Sequence, residues 1–94
     1  MKKGDFIIWD SRFGYDIGFY SNEKGVMYNT CEIYLITGIS SGRFSASHHE
    51  VKPFTKELVE ELNERYTYKN SIIWTYENLI ERLNIRQKEF LLNE

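Results

Sequence analysis

The residues with the most chemical potential lie between Cys31 and Glu50. His48-His49-Glu50 places two imidazoles beside a carboxylate, and histidine can ligate a metal or move protons near neutral pH. Adjacent residues on a strand point to opposite faces, so the two rings do not aim at one ion. Zinc sites want about four ligands, and Cys31 is the only thiol. Cys31 could serve as a nucleophile with a histidine base, but no Gly-rich or helix-start context is present to activate it. Asp5, Asp10 and Asp16 form a carboxylate series whose spacing matches no ion-binding loop, and Asp beside a turn is ordinary. No catalytic residue, metal or cofactor is expected. An enzyme would need the histidine pair, Cys31 and an Asp to converge in space.

Binding chemistry is better represented. Arg12-Phe13-Gly14-Tyr15, with Trp9, Phe19, Tyr20, Arg43 and Phe44, mixes guanidinium groups with aromatic rings. Such sets stack on bases and meet phosphates, or supply the hot spots of protein interfaces. Core packing must claim several of these rings, Trp9 first; Phe13 and Tyr15, beside Gly14, are the candidates for exposure. Glu57, Glu60, Glu61 and Glu64 give the second half an acidic helix face, fit for docking on a basic surface. Glu61 and Arg65 are spaced to pair one turn apart. The candidate binding residues are therefore Arg12, Phe13, Tyr15, Tyr20, Arg43, Phe44, Glu57, Glu61 and Glu64.

The elements that must position these residues follow from periodicity. Phe6 to Trp9 reads as a strand after the Gly4-Asp5 turn, and Asp16 to Tyr20 as a second, with Gly18 marking a bulge or bend. Val26 to Thr37 is the longest β candidate, with a break near Asn29-Thr30. Arg43 to Ser47 and Glu50 to Lys52 are short strands. Thr55 is an N-cap, and Leu58, Val59, Leu62 and Tyr66 form one helical stripe. Residues 66–74 read equally as a hairpin or a capped helix. Tyr76, Leu79, Ile80 and Leu83 mark a helix starting near Thr75, and Asn84 with Gln87 resembles a capping box that opens a short last helix from Ile85 to about Leu92.

The chain is thus read as one α+β domain over residues 1–94, mainly β over 1–54 and mainly helical over 55–94. The expected architecture is a small antiparallel β-barrel or curled sheet followed by two or three short helices. Gly4-Asp5-Phe6-Ile7-Ile8, followed by Asp16-Ile17-Gly18-Phe19, resembles the opening of SH3-like barrels of the KOW type over residues 4–54. The resemblance implies a barrel and carries over no functional residues, since such barrels bind RNA, DNA, peptides and proteins alike.

Composition narrows the function. The net charge of −2 argues against a nucleic-acid-coating protein, whose affinity comes from phosphate neutralisation. The first 54 residues carry six basic and six acidic side chains, so the excess of acid lies in the helical half. One cysteine permits no internal disulfide and fits a reducing, cytoplasmic setting. No apolar run is long enough to span a membrane, and the one after the N-terminal lysines stops at Trp9, too short for a secretion signal. The single Ala and abundant Ile, Asn and Lys match AT-rich coding, as in some bacteria and many of their phages. The expectation is a non-enzymatic, cytoplasmic protein-binding module, an adaptor or inhibitor, acting on a host factor if phage-encoded. The alternative is a small-barrel nucleic-acid binder using the Arg/aromatic cluster. A homodimer through an edge strand or the apolar Phe90-Leu91-Leu92 end is a further route to self-association.

Overall fold

The computed structural model describes residues 1–38, 42–66 and 74–93. Five strands run β1 (Phe6–Asp10), β2 (Tyr15–Asn22), β3 (Thr30–Leu35), β4 (Gly42–Ser47) and β5 (Val51–Pro53). A 3-10 turn at His48–Glu50 joins the last two, and the helices α1 (Lys56–Arg65) and α2 (Tyr76–Asn93) follow. The strands form one antiparallel sheet in the order β4-β3-β2-β1-β5.

This order corrects the expected fold. β4 and β5 are the two edges, and among the described residues no ladder joins them, so the sheet is open and is neither a barrel nor a curled sheet. The resemblance to SH3-like, KOW-type barrels therefore does not hold. The physical reason lies in the second half of the chain. A barrel buries its apolar face by closing on itself, whereas here two helices cover that face and closure is not required. Ile8, Tyr15, Ile17 and Phe19 alternate along β1 and β2 and meet Val59, Leu62 and Tyr66 of the α1 end and Leu79, Leu83 and Phe90 of α2. Phe90 stacks on Phe19 with ring centroids 4.9 Å apart. The opposite face has its own cluster of Ile7, Tyr20, Cys31, Ile33, Leu35, Ala46 and Val51. Trp9 and Phe44 pack against it with their rings 4.5 Å apart.

Local chemistry explains most element ends. The Thr55 hydroxyl accepts from the Leu58 amide at 3.2 Å and caps α1, as its position suggests. The Thr75 hydroxyl does the same for the Asn78 amide at 3.2 Å. No new helix starts at Asn84. Leu79, Leu83, half-buried Gln87 and Phe90 form one continuous stripe, and its burial outweighs a weak capping signal. Gln87 instead donates its side-chain amide to the Gly4 carbonyl at 3.0 Å, tying the N-terminus to α2.

Two strand expectations also shift. β3 begins at Thr30, four residues after the apolar run starts. The bulge in β2 lies between Tyr20 and Asn22, not at Gly18. Gly18 serves close approach: a Cβ there would lie 2.8 Å from the Leu35 Cα and nearer still to the Tyr34 carbonyl oxygen. Of the ambiguous stretch 66–74, Tyr66 closes α1 and residues 67–73 lie outside the described residues.

Candidate functional site

The residues chosen for chemistry do not converge. Asp10 faces the helices, while Asp16 is paired opposite Trp9 on the other face. Asp5 accepts from the Lys2 amide at 2.9 Å, and Asp16 accepts from the Thr37 hydroxyl at 2.9 Å. Burial raises the Asp16 pKa, and the Thr37 hydrogen bond offsets part of that. Cys31 is buried beside Tyr20 and Ile33, and burial pushes its thiol up, away from reactivity. His48 and His49 are exposed in the 3-10 turn. Among the described residues no three His, Cys, Asp or Glu side chains are placed to hold a metal ion.

The proposed Arg/aromatic cluster is split: Trp9, Tyr20 and Phe44 share one face of the sheet, Tyr15 and Phe19 the other, and Arg12 and Phe13 lie at the tip between β1 and β2. Tyr15 and Tyr20 are both buried, on opposite faces of the sheet. Tyr15 donates its hydroxyl to Asn63 Oδ1 at 2.6 Å, and its ring packs at right angles to that of Trp74 with centroids 5.8 Å apart. Burial, helped by the nearby Asp16 charge, pushes the Tyr15 hydroxyl up to about 12. A raised pKa of this kind favours the folded state fully below the ordinary value of 10.0 and loses that effect as pH rises through about 12. Alkaline titration is therefore expected to show Tyr15 contributing tyrosinate absorbance only as the fold opens. Full ionisation of every tyrosine near the ordinary value, with circular dichroism unchanged, would refute the burial.

Arg43 on β4 is paired with Glu32 of β3 at 3.3 Å. Phe44 is half-buried against Trp9. Arg12 and Phe13 form the tip between β1 and β2, with Phe13 78% exposed. The tip is held by the Ser11 amide on the Gly14 carbonyl at 3.1 Å and the Arg12 amide on Asp10 Oδ1 at 3.1 Å. Arg12 itself sits at φ 74, a left-handed conformation uncommon for its type. On α1, Glu57, Glu61 and Glu64 are exposed, and Glu61 binds Arg65 at 3.0 Å.

Among the described residues, the longest run of exposed large apolar side chains is one read from the sequence as part of a strand. Val26, Met27 and Tyr28, read as the start of β3, form a loop with exposures of 92%, 70% and 94%. Its backbone is fixed on three sides. The Lys24 amide donates to Asn22 Oδ1 at 3.2 Å, and the Gly25 amide to the Thr30 carbonyl at 2.9 Å. The Val26 amide donates to Ser45 Oγ of β4 at 3.0 Å, and the Thr30 hydroxyl to the Met27 carbonyl at 2.5 Å. Asn29 takes a left-handed φ of 60, which Asn tolerates. A Cβ on Gly25 would lie 3.0 Å from Ser45 Oγ, so a glycine lets the loop lie against β4. The sequence alone does not mark this loop, since Phe6 to Trp9, an apolar run equally without alternation, is a strand; the hydrogen bonds to Thr30 and Ser45 decide it. A second exposed apolar set, Ile85, Leu91 and Leu92, lies on α2, whose Phe90 is itself buried.

No family model matches the chain, and comparison with curated proteins and with solved structures finds no match. Among the described residues no helix is long and apolar enough to cross a membrane.

Proposed function

We propose that this chain is a small, non-enzymatic protein-binding module, an adaptor or inhibitor acting in the cytoplasm, that meets its partner through the Val26–Tyr28 loop. The observation carrying this reading is three consecutive large apolar side chains held in water on a hydrogen-bonded backbone. Apolar side chains at this exposure cost solvation unless covered, and contiguous exposed apolar groups mark interaction surfaces. A fixed loop also loses little conformational entropy on docking, so more of the contact energy appears as affinity. The lone buried Cys31 fits a reducing compartment. Exposed Phe13 and the glutamates of α1 are secondary contacts, since the tip bearing Phe13 lies at the other end of β2 from the loop.

The nucleic-acid alternative has less support. Stacking needs open rings, and Tyr15 and Tyr20 are packed inside on opposite faces.

Replacing Val26 and Tyr28 together, by Ser and Ala, is expected to weaken partner binding by at least about thirtyfold, the size of a hot-spot loss. The amide spectrum of the remaining residues should be unchanged. Titration of wild type and variant against a captured partner gives the answer; equal affinities would refute the loop as the contact.

A further inference from the structure

The two edges of the sheet differ. β5 is three residues long, carries Lys52 and ends at Pro53, all features that blunt an edge. β4 is six residues long with neither Lys nor Pro, and among the described residues no other strand pairs with its outer side. The exposed Val26–Tyr28 loop is bonded to this same strand, through the Val26 amide and Ser45 Oγ. A longer edge, blunted only by Arg43, and an uncovered apolar loop therefore adjoin.

We propose that two copies of the chain join through β4, antiparallel about a two-fold axis at Ser45, making one continuous sheet across both copies. The inference rests on reading the Val26–Tyr28 loop as an interaction surface, and it names a second copy as the partner. The strand is self-complementary in that register. Ser45 faces its own copy, Phe44 faces Ala46, and Arg43 faces Ser47. Each large side chain meets a small one, and no like charges stand directly opposed. Directly opposed residues of antiparallel strands share a face, so the register keeps Phe44 and Ala46 on the face of the Ile33 cluster in both copies. Because the loop is anchored at Ser45, the axis brings the two loops together on one face. Their Met27 and Tyr28 side chains, now in water, then cover one another, and Tyr28 alone brings on the order of 200 Å². A symmetric, isologous contact of this kind closes at two copies.

Sedimentation of the full chain at about 100 μM is expected to give a dimer, with the Met27→Lys/Tyr28→Lys double variant at least about tenfold weaker in self-association. Both positions are exposed, so the variant keeps its fold, which circular dichroism verifies. Oxidised Ser45→Cys is expected to link into a covalent dimer, while Lys52→Cys on the other edge stays monomeric. Cys31 is buried and stays out of the reaction. A monomeric wild type, a dimer indifferent to the lysines, or linkage at Lys52→Cys as fast as at Ser45→Cys would each overturn the proposal. A monomer whose loop variants still lose a different protein partner overturns the dimer and keeps the loop reading. A monomer with no loop-dependent partner removes both.

Discussion

Gly18→Ala is expected to destabilise the fold severely, although the change adds one methyl group. Gly18 sits in β2 opposite Leu35 of β3, and a Cβ there would meet the Tyr34 carbonyl and lie 2.8 Å from the Leu35 Cα. Both obstacles are backbone, which no rotamer change can clear. The strands must separate at the end pair of the β2–β3 ladder, next to the Phe19 that lies beneath Phe90. Overpacking of this kind costs about 3 kcal/mol or more. A domain of this size has a total stability of roughly 5–15 kcal/mol, so the loss takes a large share of it. Ile17→Val on the same strand removes a methylene from the core and is expected to cost only about 1 kcal/mol. Urea midpoints of both variants against wild type decide the matter. A Gly18→Ala midpoint close to that of Ile17→Val would mean that β2 and β3 have room the structure does not show.

That glycine also shows where reading the sequence succeeds and where it stops. A Gly inside a strand signals a special backbone position, but the residue alone does not say whether the cause is a bend or a neighbour's approach. The neighbour here is 16 residues away, and the bulge belongs to the Tyr20–Asn22 step instead. Local signals were legible: the apolar run of Phe6 to Trp9 after the Gly4-Asp5 turn, the Thr55 cap, and the stripe from Tyr76 to Leu83 all correspond to observed elements. Sheet closure was not, because the same short strands and turns serve a barrel or an open sheet. The difference lies in whether β4 reaches β5, and no residue type encodes it. The site was the least legible part. Tyr15 and Tyr20 look alike beside Gly14 and Gly18, yet odd and even positions along β2 send them to opposite faces, both buried. Val26-Met27-Tyr28 has the composition of a strand, and only hydrogen bonds to Thr30 and Ser45 turn it into a loop.

Asp10 illustrates the same limit and carries the second large effect. In sequence it is an ordinary turn aspartate. In the fold its carboxylate accepts from the Tyr66 hydroxyl at 2.6 Å, from Arg65 at 2.9 Å and from the Arg12 amide at 3.1 Å, joining the end of β1 to the end of α1. Burial alone would raise its pKa; the Tyr66 hydroxyl, the Arg12 amide and the Arg65 charge outweigh burial and hold it below the ordinary 3.8. Asp10→Ala leaves the buried Tyr66 hydroxyl without its acceptor and is expected to cost about 1–3 kcal/mol at neutral pH. The pH dependence separates this from a mere loss of packing. A carboxyl depressed in the folded state contributes stability above its unfolded pKa and loses it as pH falls through the folded value. Asp16, raised by burial, acts in the opposite direction and is untouched by the substitution. Wild type is therefore expected to lose more stability between pH 7 and about pH 3 than Asp10→Ala does, narrowing the gap between them on acidification. Tyr66→Phe keeps the ring in the core and removes one of the three donors, so its acid loss should fall between the two. Urea midpoints of the three proteins across that range test the assignment. A gap between wild type and Asp10→Ala that stays constant with pH would show that Asp10 acts through its packing and not through its charge.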